Sequence, residues 1–137
     1  MKSAARRAKP ASSLAKAEVM TFVATADPGR ARSFYQDTLG LKFVADEPYA
    51  LVFDLNGIML RIQKLREKAS PPQGTALGWK VRSISAAVKD LTVRGVRFER
   101  YPGMPQDDAG VWTSPSGARI AWFKDPDGNT LSLTEFA

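Results

Sequence analysis

The chain has 137 residues, a net charge of +6, and neither histidine nor cysteine. Its length suits one compact domain or two small fused modules, its 44% hydrophobic content is enough for a core, and no apolar run approaches the ~20 residues of a membrane span. Without imidazole or thiolate the usual sites for borderline transition metals are largely excluded, and without disulfides a reducing, cytoplasmic setting is the expectation.

The charge is uneven. Residues 1–16 hold Lys2, Arg6, Arg7, Lys9 and Lys16 and no acid, leaving 15 of the 20 basic residues against 14 acidic ones over 17–137, a net of +1. The basic balance therefore reports mostly on residues 1–17, which are rich in Ala, Ser, Lys and Arg, lack apolar periodicity, and are expected to form a disordered basic tail. A solubilising extension fits this composition better than nucleic-acid attraction or a transit-like segment, so nucleic acid is not an expected partner, and neither is a membrane.

The folded domain is expected over 18–137. Residues 19–25 are β-branched and apolar, a strand. Asp27 suits an N-cap and Pro28 the first turn of a helix, whose apolar face is Ala31, Phe34, Tyr35, Thr38 and Leu39 and whose stop is Gly40. Strands follow at 41–45, 49–55 and 58–65, the last two joined by Asn56-Gly57, a strong hairpin signal. After a Pro- and Gly-containing linker at 68–74 the order restarts. A strand is predicted at 76–81, a helix at 84–94 with Ala87, Val88 and Leu91 on one face, and a strand at 96–101 beyond Gly95. A polar loop at 102–110 leads to strands at 111–114, 118–123 and 130–136, the last turning at Asp125-Pro126-Asp127-Gly128-Asn129. Leu39-Gly40-Leu41-Lys42-Phe43 matches Arg94-Gly95-Val96-Arg97-Phe98, which marks an internal duplication of about 55 to 60 residues. The expected fold is α+β: two βαβββ modules (18–67 and 75–137) forming a curved, mostly antiparallel sheet with helices on the outer face. The free sheet faces would curl into a trough suited to a ligand.

This duplicated pattern resembles the vicinal oxygen chelate superfamily, the glyoxalase / bleomycin-resistance / extradiol-dioxygenase group. The likeness rests on Asp27, Phe34-Tyr35 and Leu39-Gly40-Leu41 in the first half, and on Val81, Gly95 and the Asp125 to Asn129 turn in the second. Metal-binding members of that group place His, Glu, His and Glu on strands facing the trough. The resemblance puts Met20, Arg61, Ala76 and Ser132 at those positions here, so no metal and no cofactor is expected. It also implies a homodimer in which modules of two chains complete each trough.

Strand alternation sends Leu60 and Ile62 towards the helix and Met59, Arg61 and Gln63 into the trough. A guanidinium there either anchors a ligand anion, pairs with an acid such as Glu99 or Asp54, or faces solvent. Trp112 and Trp122, with Phe22, Met20 and Met59 across from them, either wall an aromatic ligand or pack as ordinary core or dimer contacts. Trp79, Phe34 and Tyr35 read as core. Ser132 has no triad to activate it and reads as polar lining. Asp107 and Asp108 read as a solvated loop, with a hinged lid or weak cation site as alternatives, and Asp125, Asp127 and Gly128 as the turn itself. The ligand-binding set is thus Met20, Phe22, Met59, Arg61, Gln63, Ala76, Trp112, Trp122 and Ser132. The expected function is metal-free binding of an anionic or aromatic small molecule. The alternative is a lyase, isomerase or dioxygenase-type enzyme of the same superfamily working without a His-ligated metal, with Arg61 steadying an oxyanion and an Asp or Glu as base.

Overall fold

The computed structural model describes residues 9–137; Lys2, Arg6 and Arg7 of the basic segment lie outside them. Residues 9–20 are exposed, with one 3-10 turn at Ser13–Lys16 capped by the Ser12 hydroxyl, which accepts from Leu14 N at 3.2 Å.

Asp27 caps the first helix as its chemistry predicts: Oδ1 accepts from Arg30 N at 3.1 Å, and Pro28 occupies the first turn. The helix, α1 (Pro28–Arg32), passes into a π-helical segment (Ser33–Thr38), where Leu39 N donates to Phe34 O and Leu41 N to Tyr35 O. The second bond spans six residues and closes over Gly40 at φ 69°, the left-handed C-terminal motif that glycine favours.

Strands β1 (Met20–Thr25), β2 (Lys42–Asp46), β3 (Ala50–Leu55) and β4 (Ile58–Lys64) form a sheet in the order β1-β4-β3-β2. Strands β5 (Thr75–Lys80), β6 (Trp112–Thr113), β7 (Arg119–Lys124) and β8 (Thr130–Glu135), with helix α2 (Ile84–Val93), repeat the arrangement as β5-β8-β7-β6. Each sheet has one parallel pair, β1 with β4 and β5 with β8, and is otherwise antiparallel. The paired βαβββ architecture is therefore present, as two four-stranded sheets with β1 beside β5 rather than one continuous sheet. One core serves both: Ala31, Tyr35, Phe53, Leu60 and Ile62 of the first module pack in the same cluster as Ile84, Val88, Phe123, Leu131 and Leu133 of the second.

The second module departs from the expected pattern. Residues 96–101 do not form a strand; they make a single bridge, Phe98 with Phe123, and a bond from Glu99 N to Trp122 O at 2.7 Å. The predicted strand 111–114 shrinks to Trp112–Thr113. Both segments lie along the same edge of β7, so the edge that β2 fills in the first module is shared here by two short pieces. The chain leaves the edge between them because Pro102 and Pro105 have no N–H to offer a ladder. Gln106 stitches the detour: it accepts from Tyr101 N at 2.7 Å and donates to Glu99 O and Gly110 O. Asp107 Oδ1 accepts from Ala109 N and Val111 N, so this carboxylate is occupied in ordering the loop.

Candidate functional site

In the first module the non-helix face carries Met20 and Phe22 from β1 and Met59, Arg61 and Gln63 from β4. They are held in register as Met20 with Met59, Phe22 with Arg61 and Ala24 with Gln63. The alternation works as expected: Leu60 and Ile62 are fully buried while Met59 is 40% exposed. Met20 is 49% and Phe22 46% exposed, so this is an open apolar surface of the kind that marks a binding face. Val52, opposite Arg61 in β3, is buried.

The structure pairs Arg61 with neither Glu99 nor Asp54. Its Nη2 donates to Glu47 Oε1 at 2.8 Å, with the two side chains 27% and 45% exposed. Glu47 lies in the β2–β3 turn, itself braced by Lys64, which donates to Asp46 Oδ1 and Glu47 O. The guanidinium charge is thus balanced within the chain. A pair this open is worth ~0.2–1 kcal/mol.

In the second module Ser132 pairs with Gly78 on one side and Trp122 on the other. A Cβ on Gly78 would lie 2.7 Å from Ser132 Oγ, so glycine makes room for that hydroxyl. Trp122 sits 6.2 Å from Trp112 and 5.6 Å from Tyr101, ring centre to ring centre. Burial, followed by the Glu99 charge, pushes the Tyr101 phenol up, so it stays neutral at physiological pH. Ala76 occupies the register shift between Thr75 and Leu77.

The nine candidate residues do not converge on one cavity. Met20 and Met59 line one of about 660 Å³. Phe22, Gln63 and Ala76 line one of about 190 Å³ between the modules. Trp122 lines a third of about 510 Å³. Arg61, Trp112 and Ser132 line none of these three.

The Asp125 to Asn129 turn does more than reverse the chain. Asp125 Oδ1 accepts from Asp127 N and Asn129 N, which is the turn expected from its chemistry. Its Oδ2 accepts from Asn129 Nδ2 and, across the module boundary, from Tyr35 Oη, both at 2.8 Å. Asn129 Nδ2 also donates to Ala24 O, and Asp127 Oδ1 accepts from Ala26 N. The turn therefore fastens the second module to the end of β1. Burial and then the Asp125 charge push the Tyr35 phenol far above its ordinary pKa, so it remains a donor. Asp127 Oδ2 is buried without a hydrogen-bond partner among the described residues.

Sequence reasoning missed three participants. Glu47 carries no motif. Tyr101 belongs to a segment read as a strand. Lys124 was within reach of the alternation rule, since it lies two residues beyond Trp122 on the same face. Among the described residues no group of three or more His, Cys, Asp or Glu side chains is placed to hold a metal ion, and no helix is long and apolar enough to cross a membrane.

Residues 18–133 match the family model for the Glyoxalase/Bleomycin resistance protein/Dioxygenase superfamily. No curated protein matches the chain. Among solved structures, the chain is similar to a glyoxalase/bleomycin resistance protein/dioxygenase from Alicyclobacillus acidocaldarius, at 19% identity and a TM-score of 0.67 over 88% of this chain and 92% of that one. A lactoylglutathione lyase from Agrobacterium tumefaciens aligns at 20% identity and a TM-score of 0.64 over 88% and 93%. A genomically encoded fosfomycin resistance protein, FosX, from Listeria monocytogenes aligns at 13% and 0.65 over 89% and 94%. At these identities the structural likeness speaks to fold.

Proposed function

This chain belongs to the Glyoxalase/Bleomycin resistance protein/Dioxygenase superfamily, and within it we propose a small-molecule-binding protein that holds an apolar or aromatic ligand against the open sheet faces without a protein-bound metal. The observation that carries this reading is the donor set. The positions that the family likeness aligns with metal ligands are Met20, Arg61, Ala76 and Ser132, in a chain with no histidine and no cysteine. A thioether, a guanidinium, a methyl group and a hydroxyl do not fit a divalent ion, and the guanidinium repels one. What these strands offer instead is apolar surface: Met20, Phe22 and Met59 on one face, and Trp112 and Trp122 on the other.

The neutral planar dye Nile red tests this directly. We expect saturable binding that is unchanged after dialysis against EDTA and weakened in Phe22→Ser, an exposed site where the substitution leaves the core intact. Stoichiometric Zn, Ni, Fe or Mn in the purified protein, or dye binding abolished by EDTA, would overturn the reading.

The same open face supports a homodimer in which a second copy closes over it. Three large apolar side chains at 40–49% exposure on one face are more than isolated surface hydrophobics. Light scattering is expected to give twice the chain mass of 15.0 kDa; a single-chain mass at micromolar concentration would rule this out.

A further inference from the structure

We propose that the 510 Å³ cavity of the second module is a binding site for a planar aromatic carboxylate, with Lys124 rather than Arg61 holding the anionic group. This inference rests on the ligand-binding reading above and names where the ligand sits and what chemistry it carries.

The cavity is an open one over the non-helix face of β7 and β8, lined at its sides by two loops. Its floor is Trp122 and Lys124, adjacent on one face of β7, with Thr130 directly opposite Lys124 on β8. Tyr101 stands edge-on to Trp122 at 5.6 Å, interplanar angle 80°, so their rings form an aromatic corner that receives a flat ring by stacking on one member and edge contact with the other. The opposite rim is the connection between modules, where Pro71 packs against the turn. A Cβ on Gly128 would meet Pro71 Cγ at 3.3 Å, and Gly128 sits at φ 85°. Glycine thus leaves room for Pro71 to lie close against the turn. Met104 completes the wall with an adaptable apolar side chain. The volume falls in the ~300–1,000 Å³ range of small-molecule sites.

The charge balance selects the ligand. Among the described residues, Lys124 is the only charged one lining the cavity, and no acid lines it. The ion pairs among the described residues are Arg61 with Glu47, Lys64 with Asp46 and Arg94 with Asp90. Arg61 therefore already has its counter-charge, whereas Lys124 has none among the described residues. A cation beside an aromatic corner, with a hydroxyl across from it, matches a molecule that is flat and apolar at one end and negatively charged at the other.

The test is a titration with 2-naphthoate, followed by quenching of tryptophan emission, alongside its neutral counterpart 2-naphthylmethanol. Lys124 is exposed, so Lys124→Gln leaves the fold intact, which a matching thermal melt verifies. We expect naphthoate affinity to fall about fivefold in Lys124→Gln, the scale of one partly exposed charge pair, and to recover in Lys124→Arg. Affinity for the alcohol should be unchanged in Lys124→Gln, and Arg61→Ala should leave naphthoate binding unaltered. If Arg61→Ala weakens naphthoate and Lys124→Gln does not, the anion is held elsewhere and this assignment falls while the ligand-binding reading stands. If neither naphthoate nor Nile red binds the wild-type protein, both fall.

Discussion

Asp125→Ala is expected to destabilise the protein by about 3–5 kcal/mol, the cost of removing a buried charged acceptor from a satisfied network. Asp125 is 6% exposed, and four donors converge on its two oxygens: the Asp127 and Asn129 amides, the Asn129 side-chain amide and the Tyr35 hydroxyl. Removing the carboxylate leaves all four without that acceptor, two of them in side chains that are themselves buried. A loss of this size is a large fraction of the ~5–15 kcal/mol that stabilises a domain. Urea unfolding measures it as a shift in midpoint at constant slope. A loss below about 1 kcal/mol, the net worth of one ordinary hydrogen bond, would mean that the turn does not fasten the two modules.

Tyr35→Phe should cost about 1.5–3 kcal/mol, the range for a hydrogen bond to a charged partner, and should also change how stability depends on pH. Tyr35 is fully buried. Burial first, and the Asp125 charge second, keep its phenol protonated in the folded protein well above pH 10. In the unfolded chain the phenol ionises near its ordinary value of about 10. Below that pH both states are protonated and the full stability is present. Above it the unfolded state alone gives up the proton, and stability is lost at up to ~1.4 kcal/mol per pH unit. Tyr35→Phe removes this term, so the difference between wild-type and variant should shrink steadily from pH 10 upwards. A difference that stays constant from pH 8 to pH 11 would show that the phenol titrates alike in both states.

The two modules could be read from local signals because local physics produces them. Asp27-Pro28 starts a helix and Gly40 ends it within a single turn of chain. Asn56-Gly57 fixes a hairpin, and alternation alone separates buried Leu60 and Ile62 from exposed Met59. Applied to β7, the same rule puts Trp122, and two residues further Lys124, on the non-helix face, opposite buried Ala121 and Phe123. Residues 96–101 misled because β propensity describes a segment's suitability for a ladder and not whether an edge is free to receive it. The structure lets Phe98 and Glu99 touch β7 and then gives the rest of that edge to Trp112 and Thr113.

Contacts between distant parts of the chain lay beyond such signals. Arg61 chooses Glu47 over Asp54, although Asp54 lies in the very strand that pairs with Arg61's own. That choice depends on where the β2–β3 turn folds over the sheet. The Asp125 to Asn129 turn was correctly read as a turn, but its second pair of partners, Tyr35 and Ala24, lies 90 and 105 residues away from the side chains they meet. Alternation, capping and turn chemistry act over a few residues, so they decide which residues form strands, helices and turns and which way each side chain faces. Among the described residues Lys124, beside Trp122 and Tyr101 in the second module, has no acidic partner, and the docking of one module on the other decides which distant side chains meet, making Asp125 a fastening between modules.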